Sequence, residues 1–133
     1  MDTALIDQMA QAAAAGTLPF PTIVGRLLAA GVEYYHIDYV RRLQTCYSAA
    51  GESHAVPLGF DLPAVTEDFD SPALVAAIRD SQLRDQKFPA FSLRAVRAGV
   101  QGYTAFLRGQ RVIYQGRQGD QHTEWFPDAG PRP

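Results

Sequence analysis

The chain has 133 residues, one domain's worth of polypeptide and enough to bury a single core. A net charge of −2 gives no electrostatic footprint for nucleic acid or an anionic membrane surface. A single cysteine, Cys46, excludes an intramolecular disulfide. With no basic leader at Met1 and no apolar run near the ~20 residues of a bilayer span, it makes a cytosolic protein the expectation.

Taken in chain order, Asp2 to Ala15 is rich in alanine and carries Leu5 and Met9, which predicts a helix that Gly16 stops. Phe20-Pro21 opens a second, shorter helix. Proline suits a first turn, and Ile23, Leu27 and Ala30 fall on one side before Gly31. From Val32 the period becomes two: Tyr35, Ile37 and Tyr39 share one face of a strand, Tyr34, His36 and Asp38 the other. A turn at Val40 to Leu43 leads to a return strand through Thr45 and Tyr47. A second turn at Ala49-Ala50-Gly51 leads to a short strand from Glu52 to Val56.

Pro57 to Asp68 breaks the pattern and reads as a connection. The same series then recurs. Asp70 or Ser71 caps a helix with Pro72 in its first turn, Phe88-Pro89 opens the next, and Gly99 closes it. Val100 to Leu107 and Arg111 to Gln115 form a hairpin around Arg108-Gly109-Gln110, where Gly109 is the expected left-handed residue. Gly116 to Gly119 turns the chain into a strand from Asp120 to Phe126, and residues 128–133 are expected to be a mobile tail.

The recurrence has a constant offset of 68 residues: Phe20-Pro21 and Phe88-Pro89, Ala30-Gly31-Val32 and Ala98-Gly99-Val100, Tyr35 and Tyr103, Gly51 and Gly119, His54 and His122. The register extends to Asp2 with Asp70 and Arg26 with Arg94, while Cys46 has Tyr114 as its counterpart. The fold class expected is therefore α+β: two copies of helix-helix-three antiparallel strands, at about 2–57 and 70–127. They form a two-layer helix/sheet sandwich in one domain over 1–127. Each copy is too small for an independent core, so the two are expected to pack face to face. Whether they build one sheet or two is left open.

Duplication puts Glu52-x-His54 and Asp120-x-His122 at equivalent places, and residues i and i+2 of a strand share a face. If a pseudo-two-fold axis ran near these strands, Glu52, His54, Asp120 and His122 would converge on a cleft at the repeat interface beside Tyr35 and Tyr103. Such a set suits an organic ligand, acid–base chemistry, or a divalent metal. No metal motif of the strong type is present, and no Walker loop, dinucleotide fingerprint or nucleophile elbow implies a cofactor. Satisfied strand-end histidines are the bland alternative.

His36, replaced by Thr104 in the second copy, shares a face with Asp38 and reads as a surface strand pair. Cys46 reads as a buried, inert thiol. The aromatics Tyr34, Tyr35, Tyr39, Tyr47, Tyr103, Phe106, Tyr114, Trp125 and Phe126 fall on predicted strands near Arg41, Arg42, Arg108 and Arg111. Core packing accounts for them in an acidic chain without an RNA-binding signature. Tyrosines exposed in a groove would instead suit a nucleotide-like or peptide ligand.

Phe20-Pro21, Ala30-Gly31-Val32, Tyr35, Tyr47 and Gly51-Glu52-Ser53-His54, with Phe88-Pro89 to Phe91, Ala98-Gly99-Val100, Tyr103, Tyr114 and Gly119 to His122, resemble the small YbcV/YdfO-like proteins. This is a bacterial and prophage-borne family labelled phage envelope protein-like. The resemblance runs from about Phe20 to Phe126 and implies a two-layer α+β fold, a cytosolic setting and a prophage origin. It carries over no catalytic residue. The function expected is a non-enzymatic binding or adaptor protein for a small molecule or protein, with neither nucleic acid nor membrane as partner. Alternatives are a protein-interaction or phage-related structural role, and an enzyme using a His/carboxylate pair.

Overall fold

The computed structural model describes residues 1–127 together with Ala129 and Gly130. In chain order the elements are α1 (Thr3–Ala15), α2 (Phe20–Ala29), β1 (Val32–Asp38), β2 (Leu43–Ser48), β3 (Ser53–Pro57), α3 (Ser71–Leu83), α4 (Phe88–Arg97), β4 (Val100–Phe106), β5 (Arg111–Gly116) and β6 (Gln121–Trp125). This is the duplicated helix-helix-three-strand layout of an α+β fold. Local chemistry caps the start of the first helix alike in both copies. Asp2 Oδ1 accepts from Leu5 N at 3.1 Å, and its counterpart Asp70 Oδ1 accepts from Ala73 N at 3.0 Å, satisfying N–H groups that a first helical turn leaves free.

The copies lie side by side, where face-to-face packing was expected. One six-stranded antiparallel sheet runs in the order β3-β2-β1-β4-β5-β6, so the first strands of the two copies pair with each other at its centre. Two three-stranded meanders each leave an unpaired first strand, and joining these edges satisfies both ladders at once. The registry places His36 opposite Thr104, its own counterpart, so the pseudo-two-fold axis passes through that pair. The bonds flanking the seam obey the same symmetry: Tyr39 N donates to Gln101 O at 2.9 Å and Leu107 N to Glu33 O at 3.1 Å.

All four helices cover one face of this sheet. Tyr35, Ile37, Tyr39, Cys46, Tyr103, Ala105, Leu107, Val112 and Tyr114 point into the core, against Ile6, Met9, Leu27, Leu74, Ile78, Phe91 and Val96. Among the described residues no buried side-chain polar atom lacks a hydrogen-bond partner. The bond from Tyr39 Oη to Ser92 Oγ, 2.9 Å, is a buried polar link between the residue that follows β1 in one copy and α4 of the other. Tyr39→Phe removes that donor beside a fully buried hydroxyl and should cost about 1–2 kcal/mol. Adding Ser92→Ala should recover part of this, and a double-mutant thermal cycle reads the coupling; an additive cycle would assign the bond no role in joining the copies.

Two local expectations change. In the β4–β5 hairpin the left-handed residue is Gln110 (φ 58°), matched by Arg42 (φ 58°) in the first copy, and not Gly109. Four residues, 107–110, bridge these strands, and the last of them reverses the chain. Of the expected tail, Asp128 and residues 131–133 lie outside the described residues. Ala129 N donates to Phe126 O at 3.0 Å, and Gly130 packs against the Trp125 ring. Among the described residues no helix is long and apolar enough to cross a membrane.

Candidate functional site

The two acid–histidine pairs do not converge. β3 and β6 are the opposite edges of the sheet, five strand spacings or about 24 Å apart. The axis runs through β1 and β4, and the third strand of each copy is therefore carried outward. His54 faces the helices, with Nε2 2.8 Å from Asp7 Oδ1 of α1. His122 Nε2 lies 3.2 Å from Glu124 Oε1, and Glu124 Oε2 accepts from Arg79 Nη1 of α3 at 2.7 Å. Partial burial works against the Glu124 carboxylate, yet hydrogen bonds from Arg79, His122 and Gln82 and the Arg79 charge hold it below its ordinary range.

His54 with Asp7, and Glu124 with Arg79, fasten the two edges of the sheet to the helical layer, while His122 bonds Glu124 within β6. Glu52, exposed in the turn before β3, is 3.5 Å from the α-amino group of Met1 and accepts from Ser48 Oγ at 3.4 Å. Asp120 is exposed in the turn before β6, where its backbone carbonyl accepts from Gly116 N. Tyr35 and Tyr103 are 4 % and 6 % exposed and belong to the core. Among the described residues no three His, Cys, Asp or Glu side chains are grouped to hold a metal ion. Cys46 is fully buried, and burial pushes its thiol up to about 12, a poor state for a nucleophile.

The surface that does straddle the repeat junction is the opposite face of the sheet, which no helix covers. Strand alternation and registry lay its side chains in rows across all six strands. One row reads Ser53, Tyr47, Tyr34, Phe106, Arg111, Trp125. Tyr34 stacks on Tyr47 with centroids 4.8 Å apart and on Phe106 at 5.9 Å, and the Arg111 guanidinium lies 4.5 Å over the Trp125 ring. All four aromatic residues are only partly buried. A shallow depression of about 300 Å³, lined by Phe106, Gly109, Arg111 and Ile113, interrupts the row.

In the middle row His36 Nδ1 is 3.0 Å from Thr104 Oγ1, on the axis itself. The ring lies over Gly102, where a Cβ would come within 3.4 Å of it and 2.6 Å of Ile37 O. Asp38 does not pair with His36: its Oδ1 accepts from Val40 N and Arg41 N, both at 3.0 Å, and so closes the hairpin.

The symmetry mate of the aromatic row is unlike it. Tyr34, Tyr47, Phe106, Arg111 and Trp125 correspond to Gly102, Gln115, Asp38, Leu43 and Pro57. The core face keeps Tyr35 with Tyr103 and Val32 with Val100 but changes Ile37 to Ala105, Tyr39 to Leu107 and Cys46 to Tyr114, whereas no residue of the aromatic row is kept.

Fold and site together define an internally duplicated α+β protein with one helix-covered and one open, aromatic-bearing sheet face. No protein-family model matches the sequence, and no curated protein matches it.

Proposed function

We propose that this chain is a cytosolic, YbcV/YdfO-like binding protein without catalytic chemistry, and that its ligand lies across the open sheet face at the repeat junction. The row Tyr47–Tyr34–Phe106 with Arg111–Trp125 carries this reading. Aromatic rings supply contact area at small entropic cost and are worth more when covered than when wet. Six paired strands hold them at fixed spacing, so little ordering is needed on binding.

A thermal-shift screen against nucleotides, aromatic metabolites and divalent metals tests it. A ligand at about 100 times its dissociation constant should add ~2.7 kcal/mol, or several degrees. The shift should vanish in Tyr34→Thr/Phe106→Thr and persist in His54→Ala/His122→Ala. Loss in the histidine variant alone, or no shift with any compound, overturns the reading.

A further inference from the structure

We propose that the ligand of this face is a planar aromatic anion, its ring laid against Phe106 and its charged group held by Arg111; this rests on the open face being the binding surface.

The aromatic row is regular from Tyr47 through Tyr34 to Phe106 and then breaks. The next strand contributes Arg111, whose guanidinium leans onto Trp125 at 4.5 Å, and the depression opens beside Phe106 at that break. About 300 Å³ is at the lower end of small-molecule sites and suits one ring system with one substituent. Gly109 keeps the rim low, since a Cβ there would lie 3.2 Å from Phe106 Cβ.

Charge completes the assignment. With its Cζ 4.5 Å from the Trp125 ring centroid, the Arg111 guanidinium is held beside the depression, and its N–H donors form the planar fork that matches carboxylate or phosphate oxygens. Among the described residues Arg111 has no carboxylate within ion-pair distance, whereas its neighbour Arg108 is 3.5 Å from Glu33. A cation poised over an apolar depression complements an anion attached to a ring and gives a neutral ring no comparable hold. The first copy has Asp38 in place of Phe106 and Leu43 in place of Arg111, the reverse chemistry. One site per chain follows, despite the duplication.

Trp125 is the single tryptophan, so its emission reports this place and no other. The test titrates adenosine monophosphate against adenosine, para-hydroxybenzoate against para-hydroxybenzamide, and inorganic phosphate alone, with calorimetry for stoichiometry. One anionic ring should bind about tenfold tighter than its neutral partner, at one per chain. Phosphate alone should not quench. Arg111→Gln should erase the tenfold preference, and Arg41→Gln on the opposite hairpin should leave it intact. Which of the two anions binds tells phosphate from carboxylate. Equal binding of neutral and charged rings, or a preference that survives Arg111→Gln, overturns the anion assignment while the open face stands as a ring-binding surface. No quenching or heat with any ring compound overturns both.

Discussion

Gly99→Ala should lower the melting temperature by ~15 °C or more, or prevent folding, whereas Gly31→Ala at the equivalent place should lower it by only about 5 °C. Both glycines end the second helix of their copy in the left-handed region, Gly31 at φ 92° and Gly99 at φ 87°. Adding a Cβ in that region costs roughly 1–2 kcal/mol whatever the surroundings. At Gly31 that is nearly the whole effect, because the new atom would meet Met1 Cα at 3.6 Å, an ordinary contact. At Gly99 it would sit 2.2 Å from Asp68 O and 2.9 Å from Phe69 Cα.

Those atoms are backbone on the connection between the copies, held where Asp70 N donates to Ala98 O at 2.8 Å. Relief therefore means pulling the connection off the second helix pair and losing the cap that Asp70 supplies to α3. Paired thermal melts of the two variants decide the matter. Equal losses would mean that the connection is not held against Gly99.

Alkali should unfold the protein cooperatively, beginning near pH 10. Burial pushes four of the six tyrosines, Tyr35, Tyr39, Tyr103 and Tyr114, well above their ordinary value. Their mutual proximity adds to the effect at Tyr35, Tyr103 and Tyr114, since a first phenolate would repel a second. The native state thus retains protons that the unfolded chain releases, so stability falls as pH rises. It is present in full below the unfolded value of ~10 and is lost progressively on the way to the native values.

Four such groups remove roughly 5 kcal/mol per pH unit, against a total of ~5–15 kcal/mol for a domain. Cys46, raised by burial to about 12, adds to the loss from the alkaline side of its ordinary value. Phenolate absorbance and circular dichroism followed together against pH provide the check. The four core tyrosines should ionise only with loss of the dichroism signal, and Tyr103→Phe, which removes one of the five buried groups, should reduce the slope by about a fifth. Ionisation of all six tyrosines with the fold intact would refute the closed core.

Each copy could be read from its own residues because the signals are local. Asp2 and Asp70 as caps, Pro21 and Pro89 in first turns, Gly31 and Gly99 as stops, and the two-residue period of Tyr35-Ile37-Tyr39 all act within a few residues of chain. The sharing of faces was equally legible: Tyr34 and His36 were opposed to Tyr35 and Ile37 by alternation alone. The candidate site was not. Glu52, His54, Asp120 and His122 drew notice because they repeat, yet a shared ancestor repeats residues whether or not they meet: His54 bonds Asp7 of α1, His122 bonds Glu124 of its own strand, and Glu52 and Asp120 stay exposed in turns. The open-face residues stand where repetition fails, and nothing local says which face the helices cover.

By itself, then, the amino-acid sequence determined the elements, their duplication and the two faces of each strand, since caps, turns and periodicity are properties of neighbouring residues. Only the tertiary structure decided that the copies join through β1 and β4. A strand edge offers the same unpaired N–H and C=O groups whatever its side chains, so sequence alone does not select its partner. That one pairing carries His54 and His122 to opposite edges and brings Tyr34 beside Phe106, and with it the candidate site passes from the histidines to the open face.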